Sequence, residues 1–169
     1  METINKLIHQ FLSKDTLKQI LYYSITHFSS LGSYPIFLLI IIFYYKFTFF
    51  NEAHALLFGL ILIYVIGLPI RYVLHFYVFV NTPQYHHKEM EYFNFSSFPS
   101  FHAARIVFLS LFFIHFFNYD IDIIVMGLVV SILVCYSRIL KKRHFFRDIV
   151  GGIIFGSLLW ILSYSIFLM

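Results

Sequence analysis

Residues 121–169, IDIIVMGLVVSILVCYSRILKKRHFFRDIVGGIIFGSLLWILSYSIFLM, hold two uncharged apolar runs, 123–137 and 149–169, on either side of a basic segment, 138–147. A helix that crosses a membrane needs about 20 mostly apolar residues. The stretch therefore predicts two such helices, over about 122–140 and 148–168, joined by a short polar link. The rest of the chain is of the same kind: 60% of its 169 residues are hydrophobic, 22% are aromatic and 12% are charged. A typical soluble domain has roughly 25% charged residues, so lipid is the expected solvent for most of this one. Disorder is excluded, because disordered chains have too little apolar surface to offset their entropy. The net charge of +4 is too small and too diluted to suggest a nucleic-acid partner. The single cysteine, Cys135, permits neither an internal disulfide nor a thiolate metal site.

Working toward the N-terminus, the few charges and turn residues mark the remaining spans. A helix is predicted over about 103–117, linked to the next by the tight turn Asn118-Tyr119-Asp120-Ile121-Asp122. The most polar stretch, 81–98, reads as a loop outside the membrane. Before it a helix is expected from about Ala55 through Arg71 to Val80, with Pro69 a place for a kink. Another is expected from Pro35 to Tyr45, extended to Phe50 by burying Lys46 at the interface. Within residues 1–31, Ile4, Leu7, Ile8, Phe11 and Leu12 recur at helical spacing among Lys6, Lys14 and Lys18, the pattern of a helix lying in the interface plane. The expected architecture is all-α: an integral membrane bundle of five spans over 32–169, preceded by an interfacial segment, 1–31. With five spans the N-terminal region, the loop 81–98 and the segment 138–147 emerge on one side, which brings the polar clusters together.

Two of those clusters carry possible chemistry. One is Phe98-Pro99-Ser100-Phe101-His102 ahead of the third span; the other is Ser137-Arg138 with His144 and Asp148. Ionisable groups at membrane depth are costly and so point to function. His144 and Asp148 are four apart, one turn on a helix face, where a carboxylate accepts an imidazole N–H and leaves the other nitrogen nucleophilic. Arg138 and the backbone N–H groups near Ser100 suit an anion such as phosphate. Adjacent histidines His86 and His87 with Glu89 suggest a metal site, but neighbouring residues on a helix do not face one ion and further ligands are lacking, so no metal and no cofactor is expected.

These residues resemble the signatures of the type-2 phosphatidic acid phosphatase superfamily. Ser137-Arg138-x5-His144-x3-Asp148 matches its third signature, SRxxxxxHxxxD, and Pro99-Ser100-Phe101-His102 is similar to the second, PSGH, with Phe101 in place of glycine. The first signature, KxxxxxxRP, is degenerate: with its proline on Pro83, His75 stands in place of lysine and Thr82 in place of arginine. Arg71, one turn before His75, and Lys88 in the following loop are the candidate replacements. The resemblance covers roughly residues 30–168.

The resemblance implies a multi-pass enzyme of the cell membrane acting on a phosphorylated lipid. His144 would attack phosphorus, Asp148 would orient it, and His102 would protonate the leaving oxygen. Arg138 and the Ser100 and Phe101 backbone would hold the phosphate oxygens. Passing the phosphoryl group to a lipid acceptor is the alternative outcome, and a non-catalytic protein retaining the fold is a third. Two signals oppose each other on orientation. The family commonly faces its site away from the cytoplasm, whereas Lys6, Lys14, Lys18, Lys141, Lys142, Arg143 and Arg147 share the side of the site and only Lys46 lies opposite, which the positive-inside rule puts in the cytoplasm. Labelling a cysteine in the Asn118–Asp122 turn with an impermeant reagent separates the two.

Overall fold

The computed structural model describes residues 24, 29–47, 49–77, 98–141 and 144–169. The interfacial segment, Lys88, and His86, His87 and Glu89 lie outside the described residues, apart from Ser24 and Ser29–Leu31. The regular structure described is helical: a 3-10 turn, Ser29–Gly32, then α1 (Tyr34–Lys46), α2 (Phe50–Tyr77), α3 (Phe101–Phe116), α4 (Ile121–Leu140) and α5 (Phe146–Phe167). Three of these are long and apolar enough to cross a membrane: Phe50–Leu74, Ile121–Leu140 and Phe146–Phe167, with mean hydropathies of 2.3, 2.4 and 2.0. Pro35–Lys46 and Phe101–Phe116 are shorter apolar helices.

Local chemistry sets the helix limits. Ser100 caps α3, its hydroxyl oxygen accepting from the Ala103 N–H, and Asp120 caps α4 by accepting from the Asp122 N–H at 2.9 Å. Asn118 and Tyr119 take left-handed conformations, φ 54° and 63°, and so reverse the chain between α3 and α4 within a few residues. The first helix stops at Lys46 and does not reach Phe50 as expected. The Phe47 and Phe49 N–H groups fold back onto the carbonyls of Phe43 and Tyr44, and α2 starts at Phe50, ahead of the expected Ala55. Glu52 then falls in the first turn of α2, where the helix dipole favours an acid. The helix runs on through Pro69. At 28 residues it is about 42 Å long, more than the hydrocarbon core of about 30 Å.

Helix α3 is the centre of the bundle and packs against α5, α4 and α2, while α1 packs on α2. Close approach of α3 and α5 depends on glycine. A Cβ on Gly152 would sit 2.5 Å from the Ser100 carbonyl oxygen, and one on Gly156 would run into the Ala104 backbone. The main core, with Phe37, Tyr44, Leu56, Ile63, Phe108, Phe112 and Leu159, occupies the middle and the far end. Outward faces remain apolar, as with Val125, Leu128, Val129 and Ile132 on α4, which suits a lipid surround.

Candidate active site

The ends of α2 and α4 and the starts of α3 and α5 meet at one end of the bundle. The Ser100 N–H donates to the Asp148 carbonyl at 2.9 Å, so the beginnings of α3 and α5 are bonded to one another. The Ser100 amide is thereby occupied. Of the two backbone donors expected to hold phosphate, the Phe101 N–H is the one that the helix start leaves over.

Asp148 is fully buried at the third position of α5. Its Oδ2 accepts from the Phe145 N–H at 2.8 Å and lies 3.7 Å from His144 Nδ1, and its Oδ1 lies 3.7 Å from Arg147 Nε. The carboxylate therefore has two tasks, closing the first turn of the helix and facing the imidazole. His144 precedes the helix and its side chain is only 7% exposed. Burial pushes its pKa below the ordinary histidine value; the facing Asp148 opposes that shift, and Arg138 and Arg71 add to it. A neutral, hence nucleophilic, imidazole is the result near neutral pH.

Arg71 is buried and holds the second cluster in place. Its Nε and Nη2 donate to the Pro99 carbonyl at 3.2 and 2.8 Å, and its guanidinium lies 3.6 Å over the Phe101 ring. The ring fits a slot made by Gly67, where a Cβ would lie 2.5 Å from the Phe101 Cε1. Tyr64 meets the same ring edge-on at 5.5 Å between centroids. Tyr64, Gly67 and Arg71, at helical spacing, thus form one face of α2 shaped around the residue that departs from PSGH. His75 lies on the last turns of α2, with its side chain outside the description.

His102, on the first turn of α3, has Arg138, Arg105, His144 and Arg71 within electrostatic reach. Arg138 is buried near the end of α4, beside Ser137, whose hydroxyl donates to the Val134 carbonyl at 2.6 Å. The structure thus brings His102, His144, Asp148, Arg138, Ser100, Phe101 and Arg71 to one end of the bundle.

A family model described as the PAP2 superfamily matches residues 75–169, more than half of the chain. The chain belongs to the PAP2 superfamily. Comparison with curated proteins and with solved structures gives no match. The PAP2 match is shorter than the resemblance over 30–168: it begins at His75 and takes in both well-kept signatures, but leaves out Tyr64, Gly67 and Arg71. Membership in the PAP2 superfamily suggests a phosphatase or phosphotransferase, and in general a phosphoester hydrolase.

Sequence reasoning missed Arg105. It is 4% exposed, its Nη1 donates to the Tyr64 hydroxyl at 2.6 Å, and its Nη2 stands 3.5 Å from His102 Nδ1. The available signal was a lone arginine three residues after His102, immediately before the uncharged run 106–119.

Proposed function

We propose that this chain is a multi-pass membrane phosphatase of the cell membrane, acting on a lipid phosphate or diphosphate through a phosphohistidine on His144. The supporting observation is the hydrogen bond from the Ser100 N–H to the Asp148 carbonyl, 2.9 Å, which ties the second signature to the helix that begins just after the nucleophile. Asp148 fixes a proton on His144 Nδ1 and leaves the Nε2 lone pair to attack phosphorus. Arg138 and the Phe101 N–H hold the phosphate oxygens, and Arg71 keeps the Pro99–Phe101 segment in position. His102 acts at the leaving oxygen. The P–O bond to the lipid breaks, an N–P bond forms, and water then cleaves the N–P bond to release inorganic phosphate. All five helices cross the membrane in this reading, the shorter α1 and α3 through local thinning or polar ends at the interfaces.

Phosphate release from a panel of lipid phosphates in detergent, with and without chelator, tests the proposal. Wild-type protein releases phosphate in chelator and His144→Ala does not; turnover by His144→Ala at the wild-type rate would remove the nucleophile assignment. A second reading, transfer to a lipid acceptor, draws support from Phe101, a bulky residue where the phosphatase signature has glycine. Phosphate recovered on lipid and not as the free ion would favour it.

A further inference from the structure

Among the described residues the buried charged side chains are three arginines, Arg71 on α2, Arg105 on α3 and Arg138 on α4, and one carboxylate, Asp148. All three guanidinium groups lie within electrostatic reach of His102, and Arg71 and Arg105 lie within reach of one another. Buried like charges are costly unless an anion joins them. One carboxylate does not balance three guanidinium groups, and the oxygens of Asp148 are turned to the Phe145 N–H, His144 and Arg147. The three arginines differ in what their N–H groups do. A guanidinium can grip an oxyanion with two N–H groups at once, either Nη1 with Nη2 at its end or Nε with Nη2 along its side. In Arg71 the side pair is used up, since Nε and Nη2 both donate to the Pro99 carbonyl, at 3.2 and 2.8 Å. In Arg105 the end is engaged instead, Nη1 donating to the Tyr64 hydroxyl at 2.6 Å. Its Nε is buried with no hydrogen-bond partner among the described residues, and its Nη2 has only His102 Nδ1 beside it, at the long distance of 3.5 Å. A buried donor left unmet is expensive, so the side pair of Arg105 is a place for a ligand, and the Nη2 contact sets it next to His102.

We infer that Arg105, held in direction by Tyr64, is a further phosphate-binding residue of the site, its Nε and Nη2 gripping two oxygens of the phosphate group on which His144 acts. The identity of that anion rests on the functional reading above. Arg105 thus supplies, beside Arg138, the cation for which Arg71 was the candidate replacement, while Arg71 spends its own side pair on the Pro99 carbonyl and positions the Pro99–Phe101 segment. Tyr64 serves both arginines: its hydroxyl holds Arg105, and its ring meets Phe101, over which Arg71 lies.

Titration of the full chain in detergent with inorganic phosphate, read by calorimetry, tests the assignment without turnover. Arg105→Leu is expected to weaken phosphate binding by on the order of 30-fold or more, and Arg105→Lys, which keeps the charge and loses the fork, to recover part of that loss. Tyr64→Phe removes only a hydroxyl and lets the guanidinium turn; it is expected to weaken binding about threefold. A merely structural arginine would move the thermal midpoint of the phosphate-free protein and leave the affinity of the folded molecules alone. Wild-type affinity in folded Arg105→Leu, or in both Arg105→Lys and Tyr64→Phe where Arg105→Leu does not fold, would therefore overturn the inference. The same variants assayed on dodecyl phosphate separate the substrate's phosphate from the free ion. Their kcat/KM is expected to fall in the same order as their affinity for inorganic phosphate, and an unchanged kcat/KM beside a weakened affinity would overturn the part assigned to Arg105 in the reaction. If no lipid phosphate is turned over and yet phosphate binding falls in this order, the binding role of Arg105 stands and the phosphatase reading fails.

Discussion

At one end of the bundle Arg71, His102, Arg105, Arg138 and Asp148 gather from four helices, with His144 just ahead of α5; at the other end Tyr44, Phe112, Phe116, His115, Trp160 and Tyr164 lock together ring against ring. Tyr44 meets Phe112 and Phe116 edge-on with centroids 5.2 Å apart, and His115 meets Tyr164 at 4.8 Å. Such edge contacts each add about 0.5–1.5 kcal/mol beyond area burial. Buried guanidinium groups do the reverse, costing free energy unless each is paired and hydrogen-bonded. The aromatic end therefore carries stability and, in the proposed function, the polar end carries chemistry, so substitutions at the two ends should fail in different ways.

The largest contrast is expected at His144. His144→Ala should lower kcat/KM by about 10⁴-fold or more, and Asp148→Asn by on the order of 10²- to 10³-fold. For His144→Ala the thermal midpoint in detergent should change little. A collapse of the folded protein with His144→Ala would erase the distinction between the ends. Gly152 is the place where packing and chemistry meet, since a side chain there presses on the Ser100 carbonyl and on Ala103. Gly152→Val should cost on the order of 100-fold in kcat by moving α3 against α5, and wild-type kcat in a folded Gly152→Val protein would show that the two helix starts need not be in register.

At the aromatic end Phe112→Ala should destabilise the protein by about 3 kcal/mol, measured by denaturant titration in detergent, while folded molecules retain kcat within about twofold. A kcat loss as large as that of Asp148→Asn would mean that the ends are not separable. The smallest effect concerns pH. Since burial and the neighbouring arginines lower the His144 pKa from 6.5, the acid limb of kcat, where the imidazole gains its proton and stops being a nucleophile, should lie below that value. Asp148 works in the opposite direction, so the residual activity of Asp148→Asn should have its acid limb at still lower pH. An upward movement would contradict the assigned pairing.

The division between the ends was only partly legible in the chain. The His144 and Asp148 pair is visible because its spacing is local, four residues, although His144 stands before the helix and not on its first turn, and the apolar runs around it are long enough to declare themselves. Helix starts were displaced by a few residues, as with α2 at Phe50, because Glu52 reads as a loop charge until the helix dipole is considered. Phe101 was visible as a departure from PSGH, but its companions were not. Gly67 and Arg71 accommodate it from another helix, and no pattern along one segment links residues that far apart. Arg105 was missed for the same reason: its partner Tyr64 is 41 positions away, and an isolated arginine beside a long apolar run reads as the end of a span.

The central claim is that the polar end does covalent chemistry through His144. Rapid acid-free quenching of the protein during turnover of a lipid phosphate radiolabelled in its terminal group, followed by peptide mapping, measures it most directly. The expected result is an alkali-stable, acid-labile phosphoryl group on His144, absent from His144→Ala. Label on a different residue, or full turnover with no labelled protein at any time in the reaction, would contradict it.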